Sequence, residues 1–359
     1  MHRVYNFSAG PATLPTEVLE RVRDELLDYH DAGASLMELS HRGNQFKHVA
    51  EQSESDLREL LSIPADYRVL FLQGGATSQF ALVPMNLASA GRADYVLTGS
   101  WGKKAFVEAQ RLTKARVAAG NAEAPWNDIP AADEWQRDPG ADYLHITGNE
   151  TIAGVEFHTP PDTGDVPLVS DMSSDILSRP LDVSRYGLIY AGAQKNIGPA
   201  GLTIVIVREE LLTRSRDDLP SMFSYKVQAQ KGSMFNTPAT FAWYVAGLVF
   251  QWLKEQGGVE AMAERNDAKA AALYGVIDAS AFYSNPVALE ARSRMNVPFT
   301  LANPELDSAF LEQAAQAQLI NLRGHRSVGG IRASIYNAMP MAGVHALVSF
   351  MEEFEKKHG

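Results

Sequence analysis

The chain has 359 residues, of which 45% are hydrophobic and 21% are charged, as is typical of a globular protein with a sizeable core. Its 32 basic and 43 acidic residues give a net charge of −11, which argues against a nucleic-acid-binding surface. It has no cysteine, so disulfides, thiolate metal sites and cysteine nucleophiles are excluded. No apolar stretch reaches the ~18 residues of a membrane helix, and the first residues lack the apolar core of a signal peptide. We therefore expect a cytoplasmic protein without membrane or nucleic-acid partners.

Short apolar runs alternate with helical patterns along the first part of the chain. The predicted elements are strand 68–72, helix 80–90, strand 94–97, helix 101–113, strands 143–146, 167–170, 188–191 and 202–207, and helix 239–254. This βαβ rhythm predicts an α/β fold in which a mainly parallel sheet carries helices on both faces.

A domain boundary is indicated at Glu255-Gln256-Gly257-Gly258, where two glycines follow the helical stretch. Beyond it the pattern predicts helix 259–279, strand 296–300, helix 306–318, strand 330–335 and a closing helix 343–357. We therefore predict an N-terminal segment over 1–15, a large domain over 16–255 and a smaller α/β domain over 256–359.

One lysine, Lys195, lies between two strand-like segments that read as buried, 188–191 and 202–207. Burial disfavours the ammonium form and lowers the pKa of a lysine, so that its free amine can attack a carbonyl such as the aldehyde of pyridoxal phosphate. A solvated loop lysine would give the same local pattern. The choice between the two interpretations depends on the rest of the chain.

The ends of three other predicted strands carry residues suited to a ligand, and ligands of open parallel sheets bind at the carboxyl ends of the strands. Gly74-Gly75-Ala76-Thr77 opens a helix after strand 68–72, where free N–H groups favour a phosphate. Asp171 follows strand 167–170 and either pairs with a protonated pyridine nitrogen or caps a helix. Trp101 follows strand 94–97 and either stacks on a flat ring or fills core.

The order of small-residue turn, aromatic residue, strand-end aspartate and lysine resembles the fold-type I pyridoxal-phosphate enzymes. Longer motifs narrow the resemblance to the phosphoserine aminotransferases, and it covers nearly the whole chain. These motifs are Asn6-Phe7-Ser8-Ala9-Gly10-Pro11-Ala12, Ser40-His41-Arg42-Gly43, Asn149-Glu150-Thr151, Ala193-Gln194-Lys195-Asn196, Asn236-Thr237-Pro238, Gly324-His325-Arg326 and Arg332-Ala333-Ser334-Ile335-Tyr336-Asn337. In one departure, some family members carry Gly-Gly-Gly-Arg in the phosphate turn, whereas Gly74-Gly75-Ala76-Thr77 offers no guanidinium.

The resemblance implies pyridoxal 5'-phosphate as cofactor, in a large domain with a mainly parallel sheet and a smaller C-terminal domain. Lys195 would form the Schiff base, Asp171 would pair with the pyridine nitrogen and Trp101 would stack on the ring. The further cofactor contacts implied are Gly75, Ala76, Thr77, Thr151 and Gln194. A homodimer is also implied, in which Asn236 and Thr237 reach the cofactor phosphate of the neighbouring subunit.

The resemblance implies a substrate site with several basic residues, because guanidinium groups match carboxylate and phosphate oxygens with paired hydrogen bonds. Its implied members are His41, Arg42, His325, Arg326 and Arg332. The implied reaction converts glutamate and 3-phosphohydroxypyruvate to 2-oxoglutarate and O-phosphoserine in serine biosynthesis. A phosphorylated hydroxythreonine step of vitamin B6 biosynthesis is a second candidate.

Two alternatives stay open at this point. One is another class V aminotransferase, of the alanine–glyoxylate or serine–glyoxylate type. The other is a non-catalytic phosphometabolite-binding protein, which would keep the arginines but would not need Lys195.

Overall fold

The computed structural model describes residues 3–359. The helices are α1 (Thr16–Asp24), α2 (Asn44–Leu60), α3 (Gly75–Leu87), α4 (Ser100–Ala109), α5 (Tyr225–Gln230), α6 (Thr240–Glu255), α7 (Gly258–Asp278), α8 (Asp307–Gln316) and α9 (Met341–His358). The strands are β1 (Tyr5–Asn6), β2 (Tyr67–Gln73), β3 (Arg92–Leu97), β4 (Lys114–Gly120), β5 (Leu144–Thr147), β6 (Asn149–Glu150), β7 (Val155–Glu156), β8 (Leu168–Asp171), β9 (Leu188–Gly192), β10 (Leu202–Arg208), β11 (Tyr283–Ser284), β12 (Asn296–Leu301), β13 (Leu319–Ile320) and β14 (Ile331–Ser334). Each strand and helix predicted from the sequence is present, with its ends shifted by a few residues. No helix within residues 3–359 is long and apolar enough to cross a membrane.

The central sheet has seven strands in the order β2-β10-β9-β8-β5-β3-β4. Strands β3, β4, β5, β8 and β9 are parallel, whereas β10 is antiparallel to both of its neighbours, β2 and β9. The prediction of a mainly parallel sheet is confirmed. The direction reverses at β10 because the connection 193–201 is too short for the crossover that a parallel strand needs.

Helices cover both faces of the sheet, as the packing of the β10 side chains shows. Ile204 and Ile206 belong to the same buried cluster as the apolar residues of α2 and α6, whereas Val205 and Val207 belong to the cluster that includes α3. Side chains of a strand alternate between the two faces, so a strand buried on both sides is apolar at every position. This explains the continuous apolar run that predicted β10 from the sequence.

A second, antiparallel sheet of order β11-β12-β14 lies in the C-terminal part of the chain. Phe299 and Ile331 of this sheet share one buried cluster with Leu273 of α7 and Leu347 of α9. Strand β1 pairs in parallel with β13, so the N-terminal segment lies against the C-terminal part. The domain limits 1–15, 16–255 and 256–359 stay predictions.

Candidate active site

A cavity of about 500 Å³ lies at the carboxyl ends of β5, β8 and β9. It brings together residues that are far apart in the sequence. Its lining includes the predicted cofactor residues Gly75, Ala76, Thr77, Trp101, Thr151, Asp171, Gln194 and Lys195, together with His325 and Arg332 from the C-terminal part. The cavity lies at the strand ends, where open parallel sheets bind their ligands.

Lys195 lies in the turn after β9, and its side chain is buried in the cavity wall. Its Nζ donates a hydrogen bond of 2.6 Å to Thr151 Oγ1 and lies 5.8 Å from the centroid of the Trp101 ring. Burial lowers the pKa of Lys195 to about 8, although the carboxylates of Asp171 and Glu150 oppose this effect. About a tenth of the molecules carry this amine unprotonated at pH 7. The unprotonated amine is the form that acts as a nucleophile.

Asp171 is the last residue of β8, and the residues after it form turns. Its Oδ1 accepts hydrogen bonds from the Ser173 backbone N–H at 2.9 Å and from Ser173 Oγ at 2.6 Å. Burial raises the pKa of Asp171, while these hydrogen bonds and the charge of Lys195 oppose the rise. A cationic partner in the cavity, such as a protonated ring nitrogen, favours the ionised carboxylate.

The small-residue turn forms the N-terminus of α3, beside the cavity. Its N-cap residue Gly74 has φ 103°, in the left-handed region that favours glycine. The N-cap residue supplies no side-chain acceptor, and the first turn of α3 has no acidic residue. Among the described residues, the N–H groups of this turn are therefore available to bind an anion. A Cβ at Gly192 would lie 3.3 Å from the Ala76 nitrogen, which shows how closely β9 passes the turn.

Trp101 lies in the first turn of α4 and is half-buried, with part of its surface lining the cavity. Its indole Nε1 is buried without a hydrogen-bond partner among the described residues. Lys104 Nζ lies 4.0 Å from the ring centroid. The residue is thus part of the site wall as well as of the adjoining apolar cluster.

The donor set of this cavity fits pyridoxal phosphate. The amine of Lys195 suits its aldehyde, the Asp171 carboxylate suits its ring nitrogen, the indole of Trp101 suits its ring, and the N-terminus of α3 suits its phosphate. Four chemically different requirements are met by residues of one cavity.

The predicted substrate residues divide into two groups. Arg332 of β14 lines the cavity, and its Nη1 donates to the Thr151 carbonyl oxygen at 3.3 Å. His325 also lines it, with Nδ1 2.7 Å from Ser327 Oγ. Arg326, His41 and Arg42 are not among the residues that line the cavity. Within a single chain, two of the five predicted substrate residues, His325 and Arg332, therefore lie at the cavity.

Asn236 and Thr237 are exposed and lie outside the cavity. The Thr237 carbonyl oxygen accepts a 3.2 Å hydrogen bond from Gln73 Nε2, next to the phosphate turn. Asn236 lines a separate surface groove that also contains Met222 and Phe223. Neither residue reaches the cavity of its own chain.

Two wall residues, Asn149 and Ser173, were not among the predicted site residues. Asn149 Nδ2 donates to Ser174 Oγ at 2.9 Å and to Asn296 Oδ1 at 2.8 Å, which connects the site to β12. Ser173 holds the Asp171 carboxylate as described above. Both lie within two positions of a predicted residue, and this proximity is the signal in the sequence that points to them.

Comparison with known proteins identifies the family of the chain. The model of the family described as "Aminotransferase class-V" matches residues 4–347. A phosphoserine aminotransferase of Azotobacter vinelandii is 59% identical over 358 residues, which is 99% of each chain. The solved phosphoserine aminotransferase from Bacillus circulans subsp. alkalophilus matches with a TM-score of 0.97 and 48% identity, over 99% of each chain. A pyridoxal-phosphate-bound phosphoserine aminotransferase from Trichomonas vaginalis has a TM-score of 0.94 and 41% identity, over 98% of this chain and 100% of that one.

Fold-type I architecture, an enzymatic role and pyridoxal phosphate as the cofactor all follow from these matches together with the cavity. The chain belongs to the class-V aminotransferases and, within them, to the phosphoserine aminotransferase family.

Proposed function

We propose that the protein transfers the amino group of glutamate to 3-phosphohydroxypyruvate, producing 2-oxoglutarate and O-phosphoserine in serine biosynthesis. The observation that carries the proposal is the buried amine of Lys195, which shares one cavity with Asp171, Trp101 and the N-terminus of α3. The full-length identity to phosphoserine aminotransferases supports the choice of substrate class.

Bound pyridoxal phosphate supplies an aldehyde that takes up the amino group and a ring that draws electrons away from the substrate Cα. Lys195 Nζ would hold the cofactor through a covalent bond to its aldehyde carbon. As a free amine, Nζ would accept and carry the proton of the substrate Cα. Thr151 Oγ1, 2.6 Å from Nζ, orients the amine for these steps.

Asp171 keeps the ring nitrogen protonated, and Ser173 fixes that carboxylate through two hydrogen bonds to Oδ1. The N–H groups at the start of α3 hold the cofactor phosphate, with Gly75, Ala76 and Thr77 as the contacts. Gln194 lines the cavity next to Lys195 and contributes a further polar contact.

Arg332 is proposed to bind the α-carboxylate that all substrates share, because its guanidinium lines the cavity and contacts the Thr151 carbonyl oxygen. His325 borders the same space and is assigned to substrate binding. Roles for His41, Arg42 and Arg326 in binding substrate require that a second subunit, or closure of the chain around the substrate, brings them to the cavity.

A homodimer with shared sites is part of the proposal. Met222, Phe223 and Phe235 are exposed apolar residues, and the first two share a groove with Asn236. We propose that a second copy covers this surface and that Asn236 and Thr237 contact the phosphate turn of that copy. The cytoplasmic location and the vitamin B6 step stay predictions of the sequence.

The test compares glutamate-dependent amination of 3-phosphohydroxypyruvate, hydroxypyruvate and glyoxylate by the holoenzyme, with Lys195→Ala as the inactive control. We expect kcat/KM to be at least tenfold higher for the phosphorylated acceptor, since a charged hydrogen bond is worth about 1.5–3 kcal/mol. Equal use of glyoxylate would favour the alanine–glyoxylate type. A protein that binds the keto acid without turnover would favour the binding-protein alternative.

A further inference from the structure

A buried carboxylate, Glu150, caps the helix that carries Trp101. Glu150 is 0% exposed; its Oε2 accepts from the Trp101 N–H at 3.0 Å and its Oε1 from the Gly102 N–H at 2.7 Å. The N-cap residue of α4, Gly99, has no side chain to do this. A carboxylate from β6 therefore takes the place of the usual N-cap side chain.

The carboxylate is fitted closely against the backbone of α4. A Cβ at Gly99 would lie 2.2 Å from Glu150 Cδ, and a Cβ at Gly102 would lie 3.3 Å from Glu150 Oε1. Only glycine at Gly99 allows this approach. The two hydrogen bonds and the close contact together fix where the first turn of α4 lies.

Glu150 also adjoins the residue that orients the reactive amine. The next residue, Thr151, accepts the hydrogen bond from Lys195 Nζ at 2.6 Å. One dipeptide thus contacts the backbone of Trp101 with one side chain and the amine of Lys195 with the other. Burial raises the pKa of Glu150; its two backbone hydrogen bonds and the charge of Lys195 oppose this rise, and the charge of Asp171 adds to it.

We propose that Glu150 is a positioning residue for the cofactor ring, acting through the backbone of α4 to hold the Trp101 indole at the cavity wall. The inference rests on the proposed function of the cavity as the pyridoxal-phosphate site. A carboxylate that only stabilised the fold would lower the unfolding temperature when removed, but it would leave cofactor binding unchanged.

The variant is Glu150→Gln, because an amide has a single acceptor oxygen and turns an N–H donor toward the second backbone N–H. Asp142→Asn is the matched control. Asp142 is also buried and accepts backbone N–H groups, from Ala90 at 3.0 Å and Arg92 at 3.1 Å, but at the amino end of β3, away from the cavity.

Equilibrium titration with pyridoxal phosphate and thermal unfolding are measured for both variants. Both should unfold at lower temperature than the wild type. Only Glu150→Gln should bind the cofactor at least tenfold more weakly, which corresponds to about 1.4 kcal/mol. Wild-type cofactor affinity in Glu150→Gln, or equal weakening in Asp142→Asn, overturns the proposal.

A double-mutant cycle with Trp101→Ala tests whether Glu150 acts through Trp101. If it does, Glu150→Gln should weaken binding less than threefold in the Trp101→Ala background, because coupled residues are not additive. The same tenfold loss in both backgrounds overturns the assignment.

If Glu150→Gln does not fold, Gly102→Ala replaces it, because the added Cβ would lie 3.3 Å from Glu150 Oε1. This variant is expected to bind pyridoxal phosphate at least threefold more weakly than the wild type. Wild-type affinity in Gly102→Ala then overturns the inference, whereas wild-type protein that binds no cofactor contradicts the proposed function instead.

Discussion

The lowered pKa of Lys195 predicts how the rate of cofactor attachment depends on pH. The pKa falls from the ordinary 10.5 to about 8 because the amine is buried. At pH 7 about one amine in ten is then unprotonated, against about one in three thousand for an ordinary lysine, a roughly 300-fold larger reactive fraction. Since only the free amine attacks an aldehyde, the attachment rate should rise with pH up to about 8 and level off above it.

The assay mixes cofactor-free protein with pyridoxal phosphate over a range of pH and follows the visible absorbance. Two variants should move the midpoint in opposite directions. Asp171→Asn removes a negative charge that raises the pKa of Lys195, so its midpoint should fall, whereas Arg332→Met removes a positive charge that lowers it, so its midpoint should rise. A wild-type midpoint near 10.5, or two shifts of the same sign, would refute the reasoning.

Lys269 provides an internal control. Burial lowers the pKa of Lys269 to about 7, but its Nζ donates to the carbonyl oxygens of Ile335, Tyr336 and Met339 at 2.9, 2.8 and 3.2 Å. It does not line the cofactor cavity. Borohydride trapping and peptide mapping should therefore find the cofactor on Lys195 alone. If the cofactor were also found on Lys269, a lowered pKa alone would be enough for a lysine to react with it, without a place in the cofactor cavity.

Asp171→Asn should bind the cofactor more weakly and slow single-turnover proton abstraction at least tenfold, or about 1.4 kcal/mol, because the ring nitrogen loses its anionic partner; an unchanged rate would contradict this role. Mixed dimers of Lys195→Ala and Thr237→Ala subunits should recover activity at one site in two, and activity no higher than that of the weaker parent would show that each chain builds its site alone. Arg332→Lys should impair glutamate and phosphoserine alike, by about ten- to a hundredfold in kcat/KM, while Arg42→Lys should impair phosphoserine more; steady-state kinetics with both substrates distinguishes the two outcomes.

Local patterns were sufficient to predict much of the fold. Continuous apolar runs such as 202–207 predicted the buried strands, because a strand covered on both faces is apolar at every position. The two strands around Lys195 left open whether its amine is buried or solvated; the family resemblance favoured the reactive amine, and the folded chain buries it. The small residues at Gly74-Gly75-Ala76-Thr77 predicted a turn leading into helix 80–90, and the helix begins within that turn, at Gly75.

Only the tertiary structure decided which of these residues meet. Lys195 and Lys269 are both buried lysines with lowered pKa, yet long-range packing places only Lys195 in the cavity that also contains Asp171 and Trp101. The contact between Glu150 and the backbone of Trp101 joins residues about fifty positions apart and depends on β6 lying beside α4. Arg332 reaches the cavity whereas Arg42 does not, although both are arginines in family motifs. Sequence periodicity reports the burial of each segment separately, whereas a site is formed by the relative placement of segments that contact one another only in the folded chain.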